Sequence, residues 1–328
     1  MSGGEQVPTG APPARRSYLM GLLGQGIGPS LSPELHEREA ARQGLRYTYK
    51  LVELSDAQLD PGRLRELLAN AVTLGFDGLN ATHPVKQAMA TLVDDLAPEA
   101  AGIGAINTIV VDGGSTHGHN TDITGFALAM REGLADVRRD RVVLVGAGGA
   151  GTAVAHALAG LGVGELSVVE TDLARAQRLA SSLEGVRDRT AVTVATADRL
   201  PELLAGAAGL VNATPMGMVA HPGSPVPPEL LRPELWVADI VYRPLHTELV
   251  RAARALGCQV LTGAAMAVNQ AAHAFELVTG RPADRAAMAA DFDLLVADEV
   301  GATGSRTAAD PGRAPVAEAQ NARAQRRE

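Results

Sequence analysis

The stretch RVVLVGAGGAGTAVAHALAG, residues 141–160, decides the fold of the second half of this chain. An apolar run typical of a buried strand is followed at once by glycines with GxGxxG spacing and then by an alanine-rich segment. Such glycines permit a tight turn, let the backbone approach a pyrophosphate, and allow the next helix to pack closely. ELSVVE at residues 165–170 supplies a second strand. The stretch therefore predicts a strand–helix–strand unit of a dinucleotide-binding Rossmann domain.

The carboxylate of Glu170 ends that second strand and indicates which dinucleotide binds. At this position a carboxylate accepts hydrogen bonds from both ribose hydroxyls of the adenosine and repels a 2′-phosphate. Thr171 and Asp172 come next, so no arginine immediately follows the strand, and Arg175 lies in the next helix. We therefore predict NAD rather than NADP as the cofactor. The predicted cofactor contacts in this unit are Gly146, Ala147, Gly148, Gly149, Ala150, Gly151 and Glu170.

The first half of the chain alternates apolar runs with segments that suit helices. Strands are expected in SYLMGLLG from Ser17, RYTYKLVEL from Arg46 and FDGLNAT from Phe76. A helix is expected after Ser32 and another from about Pro61. Alternation of this kind predicts a mostly parallel sheet.

Turn and capping residues give further expectations for this half. Ser32 is expected to cap the first helix, and Pro84 is expected to open a later helix that carries Lys86 in its first turn. A glycine pair at residues 113–114 predicts that INTIVVDG and STHGHNT are two strands joined by a tight turn. A helix over residues 124–134 is then expected to link the two halves of the chain.

Two polar segments precede the glycine loop, NATHPVKQ at residues 80–87 and GHNTDITGF at residues 118–126. They supply Lys86 and Asp122, and oxidation of a secondary alcohol requires a group that removes the hydroxyl proton as hydride leaves the carbon. Asp122 favours the charged ammonium, whereas proton removal needs the neutral amine, so its role in orienting Lys86 stays open. The alternative for Lys86 is an exposed lysine of a first helical turn. The order of the segments suggests a hydride-transfer enzyme with its substrate domain first.

With 328 residues, about two domains are expected, because one hydrophobic core stops growing near roughly 250 to 300 residues. We predict an α/β protein of two domains, an N-terminal substrate domain with a mostly parallel sheet and a C-terminal Rossmann domain. The expected segments are a disordered lead-in (1–16), the substrate-binding and catalytic domain (17–123), the NAD-binding domain (124–262), helices that return to the substrate domain (263–298) and a disordered tail (299–328).

Composition restricts the partners and the compartment. A net charge of −8 without a cluster of basic residues in the body of the chain argues against a nucleic-acid partner. Glycines interrupt the apolar region 142–169, so no membrane span is expected. Arg15 and Arg16 resemble a twin-arginine export signal, but the apolar run after them is short. The single cysteine, Cys258, favours a reducing compartment, and we expect a cytoplasmic monomer or homodimer.

Several separated motifs, taken in their order along the chain, identify a family. From about Tyr18 to about Ala297 the chain resembles the shikimate dehydrogenases, and within them the actinobacterial NAD-dependent quinate/shikimate dehydrogenases. The motifs that carry the resemblance are GQGIGPSLSPELHE, GLNATHPVKQ, GAINT, GHNTDITGF, GAGGAG, VNATPMGM, DIVYRP and MAVNQAAHAF.

The resemblance implies a role for each polar residue of these motifs. Lys86 and Asp122 match the catalytic pair, and Ser30 and Ser32 match the hydroxyls that hold the substrate carboxylate, to which they donate without adding a competing charge. The residues implied to bind the ring hydroxyls of the substrate are Thr82, Asn107, Tyr242 and Gln270. The residues implied to lie near the nicotinamide are Ala213, Thr214, Met218, Val241 and Gly263.

Plainer structural roles stay open for some of these residues. Ser32 and Thr82 also suit helix caps, Asn107 suits a turn at a strand end, and Met218 suits filling of the core. No metal is expected, because the resembled family needs none and the histidines lack the spacing of a ligand set. The histidines considered as metal ligands are His83, His119 and His221.

The resemblance implies a small cyclic hydroxy acid as substrate, with reversible oxidation of quinate to 3-dehydroquinate and of shikimate to 3-dehydroshikimate. Pro29 stands where the family commonly has histidine. His83, Gln87 and His119 match the quinate-active branch, although Ser32 stands where that branch can carry threonine. The alternatives are a biosynthetic shikimate dehydrogenase, an aminoshikimate or aminoquinate dehydrogenase and, from another class, a regulator that senses a cyclic acid without turnover.

Overall fold

The computed structural model of the protein describes residues 16–186 and 190–307. Two six-stranded sheets, joined and flanked by helices, form in this part of the chain. The predicted α/β class with two sheets is confirmed. Residues 1–15 of the predicted lead-in and residues 308–328 of the predicted tail lie outside the described residues.

The N-terminal sheet is mostly parallel, as predicted. Its strands are β1 (Ser17–Gly24), β2 (Arg46–Glu53), β3 (Gly78–Ala81), β4 (Asp95–Leu96), β5 (Thr108–Asp112) and β6 (Ser115–His119). They lie in the order β2-β1-β3-β5-β6-β4, and only β5 runs antiparallel to its two neighbours among these strands. The helices of this half are α1 (Ser32–Arg42), α2 (Pro61–Thr73), α3 (Lys86–Ala90) and α4 (Pro98–Ile103).

The predicted hairpin between β5 and β6 is confirmed. Gly113 and Gly114 connect the strands with φ angles of 58° and 91°, the left-handed region that tight hairpin turns require and that glycine adopts without strain. The pairing continues to the far end of the strands, where Thr108 lies opposite His119. The hairpin therefore returns Asn107 and Asn120, the residues just outside the strands, to one end of the sheet.

The C-terminal sheet is entirely parallel and has the Rossmann strand order. Its strands are β7 (Arg141–Val145), β8 (Glu165–Val169), β9 (Ala191–Ala195), β10 (Gly209–Asn212), β11 (Trp236–Asp239) and β12 (Val260–Thr262). The strand order is β12-β11-β10-β7-β8-β9. From β7 the chain adds β8 and β9 on one side and then β10, β11 and β12 on the other, and dinucleotides bind at this switch point in this architecture. The remaining helices are α5 (Thr121–Gly133), α6 (Gly149–Gly160), α7 (Leu173–Ser182), α8 (Leu200–Gly206), α9 (Glu248–Ala255), α10 (Gly263–Thr279) and α11 (Arg285–Thr307).

Two of the expected helix starts are wrong. Ser32 is the first residue of α1 rather than its cap, and the capping position is taken by Leu31, whose side chain has no acceptor. Pro84 lies in the turn before α3, after a cis peptide bond with His83, and Lys86 is the first helical residue. Pro84 therefore shapes the approach to the helix instead of starting it.

The limits of α5 and α11 also differ from the expectation. α5 begins three residues early, at Thr121, because the Asn120 side chain accepts the N–H of Ile123 at 3.3 Å and caps the helix. The expected boundary between the substrate domain and the NAD-binding domain, between residues 123 and 124, therefore falls inside α5. α11 continues to Thr307 instead of ending near Ala297, and part of the predicted tail is helical.

Small aliphatic side chains fill the space between sheets and helices, in agreement with an aromatic content of only 3%. In the N-terminal half the core includes Leu23, Leu64 and Leu79. In the C-terminal half Leu144 of β7 and Leu158 of α6 pack in one cluster with residues of α5. Across residues 16–186 and 190–307, no helix combines the length and the apolar character needed to cross a bilayer.

His36 of α1 is buried among aromatic side chains. It is 1% exposed, its Nδ1 lies 3.0 Å from the Tyr47 hydroxyl oxygen, and its ring centroid is 5.0 Å from that of Tyr49. Burial lowers the pKa of His36 from 6.5 to about 3. The unfolded chain therefore binds a proton at this residue below about pH 6.5, whereas the folded chain stays neutral there until about pH 3.

This difference in proton binding predicts a pH-dependent stability. His36 contributes its full stabilisation above about pH 6.5, and we expect the free energy of unfolding to fall as the pH decreases towards 3, by up to about 1.4 kcal/mol per pH unit. Urea unfolding at several pH values between about 6.5 and 4 measures the slope. The His36→Leu variant should have a shallower slope, while His221→Leu, an exposed control, should keep that of the wild type. Equal slopes in all three proteins would contradict the prediction.

Candidate active site

Lys86 and Asp122 form an ion pair where two helices begin. Lys86 is the first residue of α3, and Asp122 lies in the first turn of α5, where a negative charge is favourable. The distance from Lys86 Nζ to Asp122 Oδ2 is 2.5 Å, and the side chains are only 22% and 12% exposed. The structure therefore brings together, at hydrogen-bonding distance, the two residues predicted to transfer the proton.

Asn107 fixes the orientation of the Asp122 carboxylate. Its Nδ2 donates to Asp122 Oδ1 at 3.0 Å and to Thr121 Oγ1 at 2.9 Å, while its Oδ1 accepts the N–H of Thr121 at 2.7 Å. Asn107 is itself buried, next to the first residue of β5. Because both carboxylate oxygens of Asp122 have a partner, Oδ2 is directed towards Lys86.

Gln270 reaches this cluster from α10. Its Oε1 lies 3.4 Å from both Asn107 Nδ2 and Thr121 Oγ1. The approach depends on Gly125, where an added Cβ would lie 2.8 Å from the Gln270 nitrogen and 3.0 Å from the Met266 carbonyl oxygen. Glycine at 125 therefore lets α10 pack closely enough on α5 to bring Gln270 beside the ion pair.

Ser30 and Ser32 place two hydroxyls side by side at the start of α1. Ser30 Oγ accepts the N–H of Ser32 at 3.3 Å and lies 3.2 Å from Ser32 Oγ. Thr82 follows β3 close to the point where this loop leaves β1, because a Cβ at Gly24 would lie 2.4 Å from Thr82 Cγ2. The Thr82 N–H also donates to the Leu23 carbonyl oxygen at 2.9 Å. Both serines and Thr82 therefore lie at the same end of the sheet.

A buried polar group that the sequence analysis missed connects these two parts of the site. The Tyr49 hydroxyl donates to Asn80 Oδ1 at 2.7 Å, and Asn80 Nδ2 donates to Thr108 Oγ1 at 2.9 Å. Burial raises the pKa of Tyr49, and a hydrogen bond with Ser32 acts in the opposite direction. Asn80 was visible in the sequence as a polar side chain within the buried strand GLNA, whereas Tyr49, between Thr48 and Lys50, gave no such signal.

Tyr242 is not hydrogen-bonded to this cluster. Its ring is 39% exposed and packs edge-on against Phe292, with the centroids 6.1 Å apart. The next residue, Arg243, donates from Nη1 to the carbonyl oxygen of Pro29. The segment after β11 therefore reaches the loop that carries Ser30, and this contact was not predicted.

The glycine loop between β7 and α6 has the shape that a dinucleotide needs. Gly146 has a φ of 101°, and a Cβ there would lie 2.8 Å from the Ala213 carbonyl oxygen. A Cβ at Gly151 would lie 2.2 Å from the Gly146 carbonyl oxygen, so the helix packs directly on the turn. A Cβ at Gly148 or Gly149 would meet no other described atom within 4 Å, which leaves the backbone open to a ligand. The loop from Gly146 to Gly151 therefore fits a pyrophosphate at the start of α6.

Glu170 at the end of β8 reaches back to this loop. Its Oε2 accepts the N–H of Ala147 at 2.9 Å, and its Oε1 accepts the N–H of Thr171 at 2.8 Å. Burial alone would raise the pKa of Glu170, but hydrogen bonds from Ala147, Thr171 and Asp172 lower it overall. Arg175 Nη1 lies 3.9 Å from Glu170 Oε2, closer than its position in the next helix suggested.

The other predicted cofactor residues fall into two groups. Ala213 and Thr214 follow β10 and contact the backbone region of Gly146, and a Cβ at Gly263 would lie 2.4 Å from the carbonyl oxygen before Val241. These four residues therefore lie at the carboxyl ends of β10, β11 and β12, and Ala213 and Thr214 lie next to the loop that follows β7. Met218 lies farther out, 41% exposed in a turn closed by the His221 N–H on its carbonyl oxygen.

A second unpredicted polar cluster supports the loops after β10 and β11. Asp239 Oδ1 accepts from Asn212 Nδ2 at 2.9 Å and from the N–H of Val241 at 3.0 Å, and Oδ2 accepts from Thr247 Oγ1 at 2.6 Å. Burial raises the pKa of Asp239, and these hydrogen bonds oppose the increase. Asn212 Oδ1 accepts the N–H of Thr214 at 3.0 Å. The cluster therefore fixes both predicted cofactor loops.

The three histidines considered as metal ligands, His83, His119 and His221, lie in different surroundings. His119 Nδ1 is 3.4 Å from Glu99 Oε1, while His83 and His221 are exposed. Within residues 16–186 and 190–307, no group of three or more histidine, cysteine or acidic side chains has the arrangement to hold a metal ion.

Comparison with known proteins assigns the chain to a family. The model of the shikimate dehydrogenase substrate binding domain matches residues 22–109, and the model of the ThiF family matches residues 119–178. A shikimate dehydrogenase (NADP(+)) of Streptomyces avermitilis is 55% identical over 279 residues, which cover 85% of this chain and 96% of the relative. A quinate/shikimate dehydrogenase (NAD(+)) of Corynebacterium glutamicum is 46% identical over 277 residues, which cover 84% of this chain and 98% of the relative.

Solved structures agree with these sequence matches. Quinate dehydrogenase from Corynebacterium glutamicum in complex with NAD superposes with a TM-score of 0.80 at 46% identity, covering 85% of this chain and 99% of that chain. A match over 85% of this chain is long enough to include residues of both sheets. The chain belongs to the shikimate dehydrogenase family.

Proposed function

We propose that this protein is an NAD-dependent dehydrogenase that reversibly oxidises quinate to 3-dehydroquinate and shikimate to 3-dehydroshikimate. The observation that carries the proposal is the 2.5 Å ion pair between Lys86 and Asp122, largely withdrawn from solvent, with the amides of Asn107 and Gln270 beside it. Amides and hydroxyls gathered around a proton-transferring pair suit a substrate with several ring hydroxyls. The names of the relatives, a shikimate and a quinate/shikimate dehydrogenase, support the same reaction class.

In this proposal residues 17–123 bind the acid and residues 124–262 bind the cofactor, with α5 as the connection. The hydroxyls of Ser30 and Ser32, 3.2 Å apart, donate to the two oxygens of the substrate carboxylate. The ring hydroxyls are bound by Thr82, Asn107 and Gln270 from three different elements, and Tyr242 lines the outer side. Helices in residues 263–298 contribute Gln270 from the C-terminal side.

Proton transfer is assigned to Lys86. In the oxidation its amine accepts the proton of the reacting hydroxyl, and in the reduction its ammonium returns a proton to the carbonyl oxygen. Asp122 balances the charge of the ammonium and, because Asn107 fixes its Oδ1, keeps Nζ in one place. When bound, the nicotinamide dinucleotide supplies the hydride acceptor, on the side of the site where Ala213, Thr214, Met218, Val241 and Gly263 lie.

NAD is proposed over NADP because of Glu170. A carboxylate at this position accepts hydrogen bonds from the ribose hydroxyls and repels a 2′-phosphate. The guanidinium of Arg175, which could otherwise bind such a phosphate, lies 3.9 Å from the Glu170 carboxylate. The two relatives carry different cofactor names, NADP(+) at 55% identity and NAD(+) at 46% identity. The preference of this chain therefore rests on its own residues.

The Glu170→Ala variant tests this assignment. We expect its KM for NAD to rise about tenfold, the scale of lost hydrogen bonds to a charged group, and its KM for NADP to fall, because the repulsion is gone and Arg175 is released. Glu229→Ala, an exposed acidic control in the same half, should keep the constants of the wild type. A variant that loses NAD and NADP activity in the same proportion would show that Glu170 does not select the cofactor.

The substrate assignment is tested by initial rates. Purified protein should oxidise both quinate and shikimate with NAD, and kcat/KM with NADP should be lower for each acid. A protein that accepts shikimate but not quinate, with NADP preferred, would instead be the biosynthetic shikimate dehydrogenase. Activity confined to the amino analogues would indicate an aminoshikimate or aminoquinate dehydrogenase. Turnover of none of these acids would reject the proposal.

The compartment and the assembly are part of the same proposal. Cys258 is a buried free thiol, which suits a reducing cytoplasm. Burial raises the pKa of this thiol, so it stays protonated and unreactive. Size-exclusion chromatography with light scattering would distinguish the monomer from the homodimer, the two states that we propose.

A further inference from the structure

A chain of hydrogen bonds runs through the buried polar side chains beside the ion pair and ends at Gln270. Its five other members, each at most 7% exposed, are Tyr49, Asn80, Thr108, Asn107 and Thr121. Tyr49 Oη lies 2.7 Å from Asn80 Oδ1, and Asn80 Nδ2 lies 2.9 Å from Thr108 Oγ1. Asn107 contacts the threonines on both sides, with Oδ1 3.1 Å from Thr108 Oγ1 and Nδ2 2.9 Å from Thr121 Oγ1. Because these five side chains are buried, their donors and acceptors need partners within the cluster.

Groups that can only donate or only accept fix the direction of this chain. The main-chain N–H of Thr121 donates to Asn107 Oδ1 at 2.7 Å, and Asn107 Nδ2 faces the Asp122 carboxylate, so the amide of Asn107 has a single orientation. The amide of Asn80 is fixed in the same way, because its Nδ2 donates to the main-chain carbonyl oxygen of Asn107 at 3.0 Å. Asn80 therefore donates to Thr108 Oγ1, and Asn107 donates to Thr121 Oγ1.

The hydroxyl proton of Thr121 is then directed to Gln270. Asn107 Nδ2 carries two hydrogens, and its two shortest contacts are Thr121 Oγ1 and Asp122 Oδ1, whereas Gln270 Oε1 lies 3.4 Å away. Asn107 Oδ1, 3.1 Å from Thr121 Oγ1, already accepts the Thr121 N–H and the Thr108 hydroxyl. Donation from Thr121 Oγ1 to Gln270 Oε1, 3.4 Å away, gives this last oxygen a hydrogen of its own.

A Gln270 carbonyl oxygen held in the cluster leaves the Nε2 end of the amide for other partners. Nε2 donates one hydrogen to the Ala267 carbonyl oxygen at 3.2 Å. Its second hydrogen has no acceptor among residues 16–186 and 190–307. Gln270 is therefore set up as a hydrogen-bond donor towards a ligand.

We propose that Thr121 is a positioning residue, whose hydroxyl holds the carbonyl oxygen of Gln270 so that Nε2 donates to an oxygen of the substrate ring. The inference rests on the proposed function and deepens it, because it states that this point of the site recognises an oxygen that accepts, a hydroxyl or a ketone. The Thr121 hydroxyl acts through Gln270 alone, since the bond from Asn107 to Asp122 Oδ1 does not depend on the side chain at position 121.

The test is a double-mutant cycle in the full-length protein, with the acid that the wild type oxidises faster. For Thr121→Val, which replaces the hydroxyl by a methyl group, KM should rise about tenfold, the scale of a lost hydrogen bond in a buried cluster. Its kcat should stay within about threefold, because Lys86 and Asp122 keep their contacts. Thr121→Ser keeps the hydroxyl and should keep the KM of the wild type. In the Gln270→Leu background the Thr121→Val exchange should no longer change KM, because the side chain it acts through is gone.

Thr124→Val is the matched control. Thr124 lies about one turn farther along α5 and also joins this helix to α10, through a distance of 2.6 Å between its Oγ1 and His273 Nδ1. Because this contact is not part of the chain, KM should stay within about twofold of the wild type. If Thr121→Val does not fold, Thr121→Ala removes the same hydroxyl without filling its space and takes its place in the cycle.

The outcomes separate this inference from the proposed function. If the wild type turns over neither quinate nor shikimate, the proposed function fails. If the wild type is active and removal of the Thr121 hydroxyl leaves KM unchanged, or raises it equally with and without the Gln270 side chain, the positioning role of Thr121 is wrong. An equal rise of KM in Thr124→Val would also reject it, because the effect would then come from the packing of α5 on α10.

Discussion

The Lys86→Ala variant is expected to lose at least about 100-fold in kcat while it still binds the acid and the dinucleotide. Lys86 Nζ is the proton-transferring atom in the proposed mechanism, and its partner Asp122 lies 2.5 Å away. The acid is held mainly by Ser30, Ser32 and Asn107, so its affinity should change little. Steady-state kinetics measure the loss, and calorimetric titration with shikimate measures the retained binding.

Lys50→Ala is the natural control, because Lys50 is exposed on β2 and the chain contains few lysines. It should keep full activity. Unchanged turnover in Lys86→Ala would reject the catalytic assignment. A wild-type protein that binds shikimate but never turns it over would instead indicate the sensing regulator.

The Gly151→Ala variant is expected to lose both stability and affinity for the dinucleotide. An added Cβ would lie 2.2 Å from the carbonyl oxygen and 2.9 Å from the carbonyl carbon of Gly146, and backbone atoms of a tight turn cannot move aside. Overpacking of this kind costs about 1–3 kcal/mol or more. Thermal unfolding should show a lower Tm, and saturating NAD should raise that Tm by less than it does for the wild type.

Gly160→Ala tests whether the effect comes from the close contact rather than from losing a glycine in α6. Gly160 is the last residue of the same helix, and a Cβ there would meet no other described atom within 4 Å. Its Tm should equal or exceed that of the wild type, because alanine is the better helix former. If Gly151→Ala unfolds like Gly160→Ala, helix packing on the glycine turn does not matter.

Local sequence signals were sufficient for most of the fold. The apolar run before Gly146, the glycine spacing and Glu170 belong to one continuous segment, so a single stretch specifies the strand, the turn and the helix. β9, residues 191–195 (AVTVA), was missed although four of its five residues are apolar, and it lies at the edge of the sheet with its side chains partly exposed. The early start of α5 was visible in Asn120, a strong capping residue followed by an acid in the first turn.

The chemistry of the site was predictable from motifs, whereas its supporting contacts were not. Lys86 and Asp122 stood out because each lies in a short polar segment between apolar ones. The contact of Arg243 with Pro29 joins residues 214 positions apart, and Tyr49 meets Asn80 across 31 positions. Such pairs arise only after the sheets have formed, so no local pattern indicates them. For Tyr242 the motif DIVYRP was clear, but its side chain is not hydrogen-bonded to the cluster around Lys86 and Asp122.

Because α5 starts early, it carries a residue of the candidate active site and also packs in the core of the C-terminal half. Its first turn carries Asp122, while Phe126 and Met130 farther along are embedded in the apolar cluster shared with α6 and β7. Because close-packed interiors transmit strain, a change in packing that tilts α5 at Met130 should also move its first turn, which carries Asp122. Conservative substitutions at Met130 should therefore change the orientation of the Asp122 carboxylate, so turnover could be adjusted without replacing any of the side chains proposed to bind the substrate or the cofactor.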